Sequence, residues 1–573
     1  MLFFAQKVEE LSYSYSISSY KSRTVSLTGL ITEAIDCLLQ VSSLPQMMSH
    51  AEHIIDELRD RIKICPAAKH TLRLPVDRYL SFDLKNVHDS INQLKTLRAE
   101  LSPPDYIPII ELLLIEEIEG RGSKTAIDIL ASELISTVQY HGISRDHISK
   151  AASDIFFGDS PVIDCTAISA FVQNIFPYVH QFTVYISISD HIKSIDVELL
   201  STFDISIIDS VPSNINKKDH GKFLSDHRKN FSSCLAIDVE ARDYFSAAES
   251  AKASIDVLSD LYRVFYHKWS HETGSLAVVE QKCCAGVFKE VAMPGNFMHY
   301  VKDSRPQKAQ ELLSDALTSV SFVRGPDRSR YLSLISMHGL SLQSTASDSQ
   351  LINIWTCLET ITPPKGHSSN TSNVANVVDN VVPVLMLGYI KRIVLTLFFD
   401  LARWDKTKLT SAFDQFGAFK ANDSVGKLVE IITDVDRPEA LEFMLAELDD
   451  FELLRFRLYT VATILRDRKL LRAKLDSHER NLRWQLHRIY RVRNKIVHAG
   501  MTSSYIKYLV ENAHQYYDDV FDFCLGVSST LPEINTFDLC FSYAKKHYQF
   551  YIDMLKSDQY LAHCVWETSP HTE

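Results

Sequence analysis

Asn481-Leu482-Arg483-Trp484-Gln485-Leu486-His487-Arg488-Ile489-Tyr490-Arg491-Val492-Arg493-Asn494-Lys495-Ile496-Val497-His498-Ala499-Gly500 carries the sharpest helical signal in the chain. At about 100° per residue, with Leu482 at zero, Leu486, Ile489, Ile496 and Val497 fall within about 60° and define a buried stripe. Upstream, Asp476-Ser477-His478-Glu479 has the spacing of a capping box, so the helix is expected to begin at Asp476 and to stop at Gly500. Arg493 lies about 20° from Leu482, in the middle of the apolar face. A guanidinium keeps its charge, and burying it unpaired costs several kcal/mol. Arg493 therefore snorkels or meets a structural carboxylate such as Glu359, or else the stripe closes around a site or dimer seam where the charge meets an anion. The adjoining face carries Arg483, His487, Arg491, Asn494 and His498. Asn494 and His498 are four residues apart and stack on one side of the helix. A fixed cation, an amide and an imidazole set close together suit a phosphodiester. Trp484, at about 200° on the same wheel, is expected opposite the stripe, as a dimer or RNA-stacking contact or packed against later helices.

Outward from this helix the chain reads as mainly α, with a small mixed α/β segment in the middle. Residues 1–160 form a helical N-terminal region, with apolar periodicity through Leu27-Leu30-Ile31-Ala34-Ile35-Leu38 and Ile54-Ile55-Leu58-Ile62. Pro103-Pro104 interrupts it before a helix containing Leu112, Leu113 and Ile115. Residues 161–344 read as a mixed α/β domain, a sensor or regulator. Val184, Ile186 and Ile188 alternate with Tyr185, Ser187 and Ser189, a period-two strand signal. Asp204–Ile208, Cys234–Val239 and Gly286–Ala292 are further strands. Ala241-Arg242-Asp243 is expected to cap a helix through Ala247, Ala251, Ile255, Leu258 and Tyr262, and Ser210–Lys218 reads as a loop. From about residue 345 the chain is helical again, broken at Thr362–Asn370. Val381–Ala402 is the most membrane-like run, but Lys391 and Arg392 sit in its middle, so it is read as one buried core helix.

The segment Tyr490–Gly500 resembles the R-N-x-x-x-H signature of the HEPN superfamily, and most closely its Apea-like branch. Leu351-Ile352-Asn353-Ile354-Trp355-Thr356-Cys357-Leu358-Glu359 resembles the first helix of that domain, in which a Trp and a Glu recur. The likeness covers residues 345–530, with 531–573 as a C-terminal helical extension. An Arg followed five residues later by a His arises about once by chance in a chain of this composition, and Arg480 and His487 make a nearby decoy. Asn494 after Arg493, and the Trp-Glu helix upstream, make the match specific.

The resemblance implies a HEPN helical bundle acting as a metal-independent endoribonuclease, needing no cofactor and dimerising so that two motifs face one cleft. His498 would be the general acid or base on the ribose 2′-hydroxyl or the leaving 5′-oxygen. Arg493 would stabilise the scissile phosphate, Asn494 would orient His498 or a phosphate oxygen, and Glu359 would support Arg493. Arg483, His487, Arg491 and Lys495 would contact RNA, with Arg488 adding to the local positive field. The products would be cyclic-phosphate and 5′-hydroxyl ends. The resemblance further implies an anti-phage, abortive-infection effector in the cytoplasm, away from membranes, with a phage-derived trigger or inhibitor protein. The alternative it leaves is a non-catalytic HEPN scaffold or a nucleotide- or RNA-binding regulator.

The composition fits that picture without suggesting it. The 573 residues carry 60 Lys and Arg against 72 Asp and Glu, a net −12, so nucleic acid cannot be held by bulk charge. With 46% hydrophobic and 23% charged residues, a disordered or collagen-like chain is excluded. Ten scattered cysteines without a C-x-x-C pair read as free, mostly buried thiols in a reducing compartment. The apolar run at the N-terminus is too short for a signal peptide. His267 and His271 with Cys283-Cys284 lack zinc-site spacing, and Glu111, Glu116 and Glu117 read as a solvated helix face. Phosphate-binding glycine loops and a G-x-S-x-G elbow are missing.

Overall fold

The computed structural model describes residues 1–12, 25–41, 44–45, 47–158, 164–208, 210–269, 271–283, 286–300, 305–318, 322, 325–365, 372–417, 419–436 and 438–556. The fold is mainly helical with one small antiparallel sheet. The chain forms two compact units: residues 134–295, and residues 1–133 together with 296–573. The expected boundary near residue 160 thus falls inside the first of these, and the N-terminal helices share a unit with the C-terminal ones.

Unit 134–295 is built on five strands, β1 (His180–Ile188), β2 (Ile205–Ile208), β3 (Ser233–Ala241), β4 (Thr273–Gln281) and β5 (Val287–Ala292), in the order β2-β3-β1-β4-β5. β1 pairs with β3 from His180↔Ala241 to Ile188↔Ser233, so Val184 and Ile186 face the same side as Leu235 and Ile237. That side is covered by the helix Tyr244–Phe265 through Ala247, Ala251, Ile255 and Leu258. Asp243 caps this helix as expected, its side chain accepting from the Phe245 and Ser246 amides while Ser246 Oγ accepts the Asp243 N–H. The opposite side holds Tyr185 and Val278 beneath Phe223 and Leu224 of the helix Gly221–Asn230. β4 was not legible as a strand. Leu276-Ala277-Val278-Val279 is apolar without alternation because both of its faces are covered, Ala277 and Val279 on one and Val278 on the other.

In the larger unit the helix Arg468–Ala499 is central, touching Asn373–Leu387, Ser347–Ile361, Glu452–Arg466, Met47–Ile64 and Ile506–Thr530. It starts nine residues before the expected point. Asp467 is the N-cap, accepting from the Lys469 and Leu470 amides. Asp476 and Glu479 are interior instead, paired one turn away with Arg472 and Arg483. Val381–Ala402 is two helices, Asn373–Leu387 and Tyr389–Gln415, meeting at 42° across Gly388. Among the described residues no single helix is long and apolar enough to cross a membrane. This bent pair meets the length and composition test only together, and its Arg392 is ion-paired with Asp519. Part of the Thr362–Asn370 break, Cys284, Cys564 and the end of the C-terminal extension lie outside the described residues. Of the described cysteines Cys37, Cys65, Cys234, Cys357, Cys524 and Cys540 are buried and outside any disulfide, Cys165 is half-buried, and Cys283 is exposed.

Candidate active site

The Arg468–Ala499 helix is buried on most of its circumference because helices enclose it on several sides. Leu482, Leu486, Ile489 and Ile496 are buried as expected, but so are Trp484, Gln485, His487 and Arg488. Trp484, placed opposite the stripe by the wheel, is therefore a core residue. Val497, at the edge of the stripe, is 47% exposed, because the run Val497–Thr502 leaves the packed layer.

Gly500 ends the helix at φ +62°, and its amide donates to the Ile496 carbonyl at 2.9 Å. A Cβ there would meet nothing within 4 Å, so substitution acts on the backbone alone. Gly500→Val should cost about 1 kcal/mol or somewhat more, and Gly500→Asn less, read as shifts in the urea midpoint. An unchanged midpoint for the valine variant would remove this role.

At the C-terminal turns the structure brings Arg493, Asn494 and Glu359 together. Arg493 Nη1 donates to Asn494 Oδ1 at 3.0 Å, and Nη2 stands 3.9 Å from Glu359 Oε2. Arg493 Nε is buried without a partner among the described residues. The helix Ser347–Ile361 supplies this contact through register: Trp355, fully buried, packs its ring 5.5 Å from that of Tyr490, and Glu359 follows one turn later beside Arg493. Thr502 Oγ1 donates to Asp348 Oδ1 at 2.7 Å, fixing the segment after Gly500 to the start of the same helix. His498 is exposed in the last turn, one turn beyond Asn494, and makes no hydrogen bond or ion pair among the described residues.

Several other cations of the helix are matched by carboxylates, many from the N-terminal helices Leu27–Gln40 and Met47–Ile64. Arg488 is 2% exposed, with Nε 3.0 Å from Glu33 and Nη2 2.5 Å from Glu57. Arg491 lies 3.5 Å from Glu33, Lys495 3.4 Å from Asp36, and Arg483 3.0 Å from Asp379 and 3.1 Å from Glu479. Burial alone would raise the Glu33 carboxyl, but Arg488 and Arg491 hold it below the ordinary carboxylate range. The charge expected to face RNA is thus largely neutralised within the fold. Sequence reasoning could not foresee the pairings with Glu33, Asp36 and Glu57, whose partners lie more than 400 residues apart.

His487 is an interior residue. Its ring stacks on His53 at 4.2 Å, with His50 at 6.1 Å. Burial first, then the neighbouring His53, Arg491 and His50, push His487 down from 6.5 to about 3, and burial with Arg491 takes His50 to about 4. Their Nδ1 atoms are buried without partners among the described residues. The unfolded chain takes up protons below about pH 6.5 that the folded pair refuses down to about 4 and about 3. Stability should therefore fall as pH drops through that window, by up to about 1.4 kcal/mol per pH unit for each histidine. His487→Phe should flatten the slope of stability against pH between about 6.5 and 4. A slope unchanged from wild type in both this variant and His50→Phe would sink the assignment.

His267, His271 and Cys283 do not form a cluster. His271 Nδ1 lies 3.2 Å from Ser259 Oγ, and Cys283 Sγ lies 3.3 Å from His180 Nδ1. Comparison with protein-family models, curated proteins and solved structures gives no match.

Proposed function

We propose that the chain is a metal-independent HEPN-type endoribonuclease that cleaves RNA through 2′-hydroxyl attack at Arg493, Asn494 and His498. One observation carries the reading. Among the described residues Arg493 has only a distant carboxylate and a neighbouring amide for its charge, with the exposed His498 in the following turn, whereas Arg483, Arg488, Arg491 and Lys495 each have a carboxylate within 3.5 Å. A scissile phosphate would complete the donors of Arg493, and the exposed His498 would be the general acid or base. Val497 and Met501, exposed on either side of the last turn at 47% and 54%, offer apolar area for a second copy, bringing two motifs to one cleft. The paired N-terminal carboxylates Glu33, Asp36 and Glu57 support a restraint role for that region. RNA reaches Arg491 and Lys495 only when those carboxylates give way. In a defence setting a phage-derived protein would be the trigger, and RNA cleavage in the cytoplasm would halt growth.

The second reading, a non-catalytic scaffold or nucleotide- or RNA-binding regulator, is favoured by the same neutralisation of the basic residues. Expression of wild type, Arg493→Ala and His498→Ala separates them. The nuclease reading expects toxicity and degraded RNA for wild type alone. Equal toxicity and RNA integrity in all three would remove the assignment.

A further inference from the structure

Away from the Arg493 site, three metal-binding side chains converge between two helices of the larger unit. His514 and Asp518 are one turn apart on the helix Ile506–Thr530, so both project from one side, and His338 comes from the helix Arg328–Gln343. The two Nε2 atoms are 2.9 Å apart, His514 Nε2 lies 3.3 Å from Asp518 Oδ2, and His338 Nε2 lies 3.8 Å from Asp518 Oδ1. Ligand atoms about 2.0–2.2 Å from a tetrahedral zinc stand roughly 3.4 Å from one another; the His514–Asp518 Oδ2 distance matches that, the two Nε2 atoms are slightly closer, and His338 lies slightly farther from the other carboxylate oxygen, Oδ1. A single N–H can join the two Nε2 atoms in either direction, and the Nε2 that accepts it then carries no proton of its own to offer the neighbouring Asp518 carboxylate. A divalent cation satisfies all three at once. The side chains are 6% exposed at His514, 24% at His338 and 29% at Asp518, which leaves room for water as a fourth ligand.

We infer that His338, His514 and Asp518 form a zinc site that clasps the helix Arg328–Gln343 to the helix Ile506–Thr530. Each imidazole presents its Nε2 lone pair and keeps its proton on Nδ1, and Asp518 supplies the negative charge. The first helix packs against Ser347–Ile361, which carries Trp355 and Glu359, so the metal braces the frame of the site without entering its chemistry. The inference stands on these distances and not on the ribonuclease reading.

The test uses the full chain, free of any affinity tag, stripped with a chelator and then dialysed against zinc chloride. Zinc per chain is measured by elemental analysis and the unfolding midpoint by calorimetry, for wild type, His338→Gln, Asp518→Asn and His514→Gln. The expected result is one zinc retained by wild type, lost in each variant, with zinc raising the midpoint of wild type by several degrees and that of the variants not at all. If His514→Gln fails to fold, the two variants at half-exposed positions decide. Wild type holding no zinc, or the His338→Gln and Asp518→Asn chains holding as much as wild type, overturns the site.

Discussion

Arg488→Met is expected to destabilise the larger unit by about 3–5 kcal/mol, the cost of leaving buried charges without their partner. Arg488 is almost wholly enclosed and answers two carboxylates that are themselves 11% and 12% exposed. Gln485 Oε1 accepts from its Nη1 at 3.0 Å, and Tyr505 donates to Glu33 Oε1 at 2.7 Å, so the network spans three helices and the segment after Gly500. Methionine fills much of the arginine stem but returns none of the charge. The damage therefore lies in Glu33 and Glu57, and the account predicts a rescue. The triple variant Glu33→Gln, Glu57→Gln, Arg488→Met should recover most of the loss, since a neutral, packed replacement of a buried ion network is often neutral or better. Urea unfolding of the single, double and triple variants at neutral pH reads this directly. A single-variant loss below about 1 kcal/mol would show that the network contributes little.

Arg493→Ala should lower RNA cleavage by about 10²–10³-fold, the usual cost of removing a donor aimed at transition-state charge. His498→Ala should lower it by about 10²–10⁴-fold, the range for a general acid or base. Neither effect should come from unfolding. Among the described residues His498 is exposed and makes no hydrogen bond or ion pair, and Arg493 is held only by Asn494 and the distant Glu359. Their unfolding midpoints should match wild type to within about 0.5 kcal/mol for His498→Ala, with a somewhat larger change for Arg493→Ala. Arg493→Lys keeps the charge but loses the planar fork, so it should restore only part of the rate. The double variant should be scarcely worse than the weaker single one, because the two groups act on one transition state. A fully active His498→Ala chain with normal stability would place any cleavage elsewhere.

Local signals in this sequence were legible where one helix turn or one strand settles the outcome. Asp243 caps its helix because the Asp-to-Ser246 spacing is a local geometry. The alternation Val184-Ile186-Ile188 marks β1 because these residues form an apolar face under the helix Tyr244–Phe265, while Thr183, Tyr185 and Ser187 put polar atoms on the other face. The same letters misled where long-range partners decide. Asp476 and Glu479 have capping spacing, yet they lie inside a longer helix as partners of Arg472 and Arg483, and Tyr548 also donates to Glu479 at 2.7 Å. His487 and Arg488 look like an outward polar face until helices from the first 64 residues cover them, and Trp484 beside them is buried as well. In the candidate site, the Arg493–Asn494–His498 spacing could be read directly. The Glu359 contact was foreseen only as a possible carboxylate partner for Arg493. The joining of His338 to His514 and Asp518 could not be read at all, since 176 residues separate the two imidazoles.

The most direct measurement is end-group analysis of RNA incubated with purified wild-type protein and with His498→Ala. Attack by the 2′-hydroxyl leaves a 5′-hydroxyl on one fragment and a cyclic phosphate on the other. The account predicts fragments from wild type that polynucleotide kinase labels without prior phosphatase, and none from His498→Ala. Fragments bearing 5′-phosphates, or equal fragments from both proteins, would contradict it.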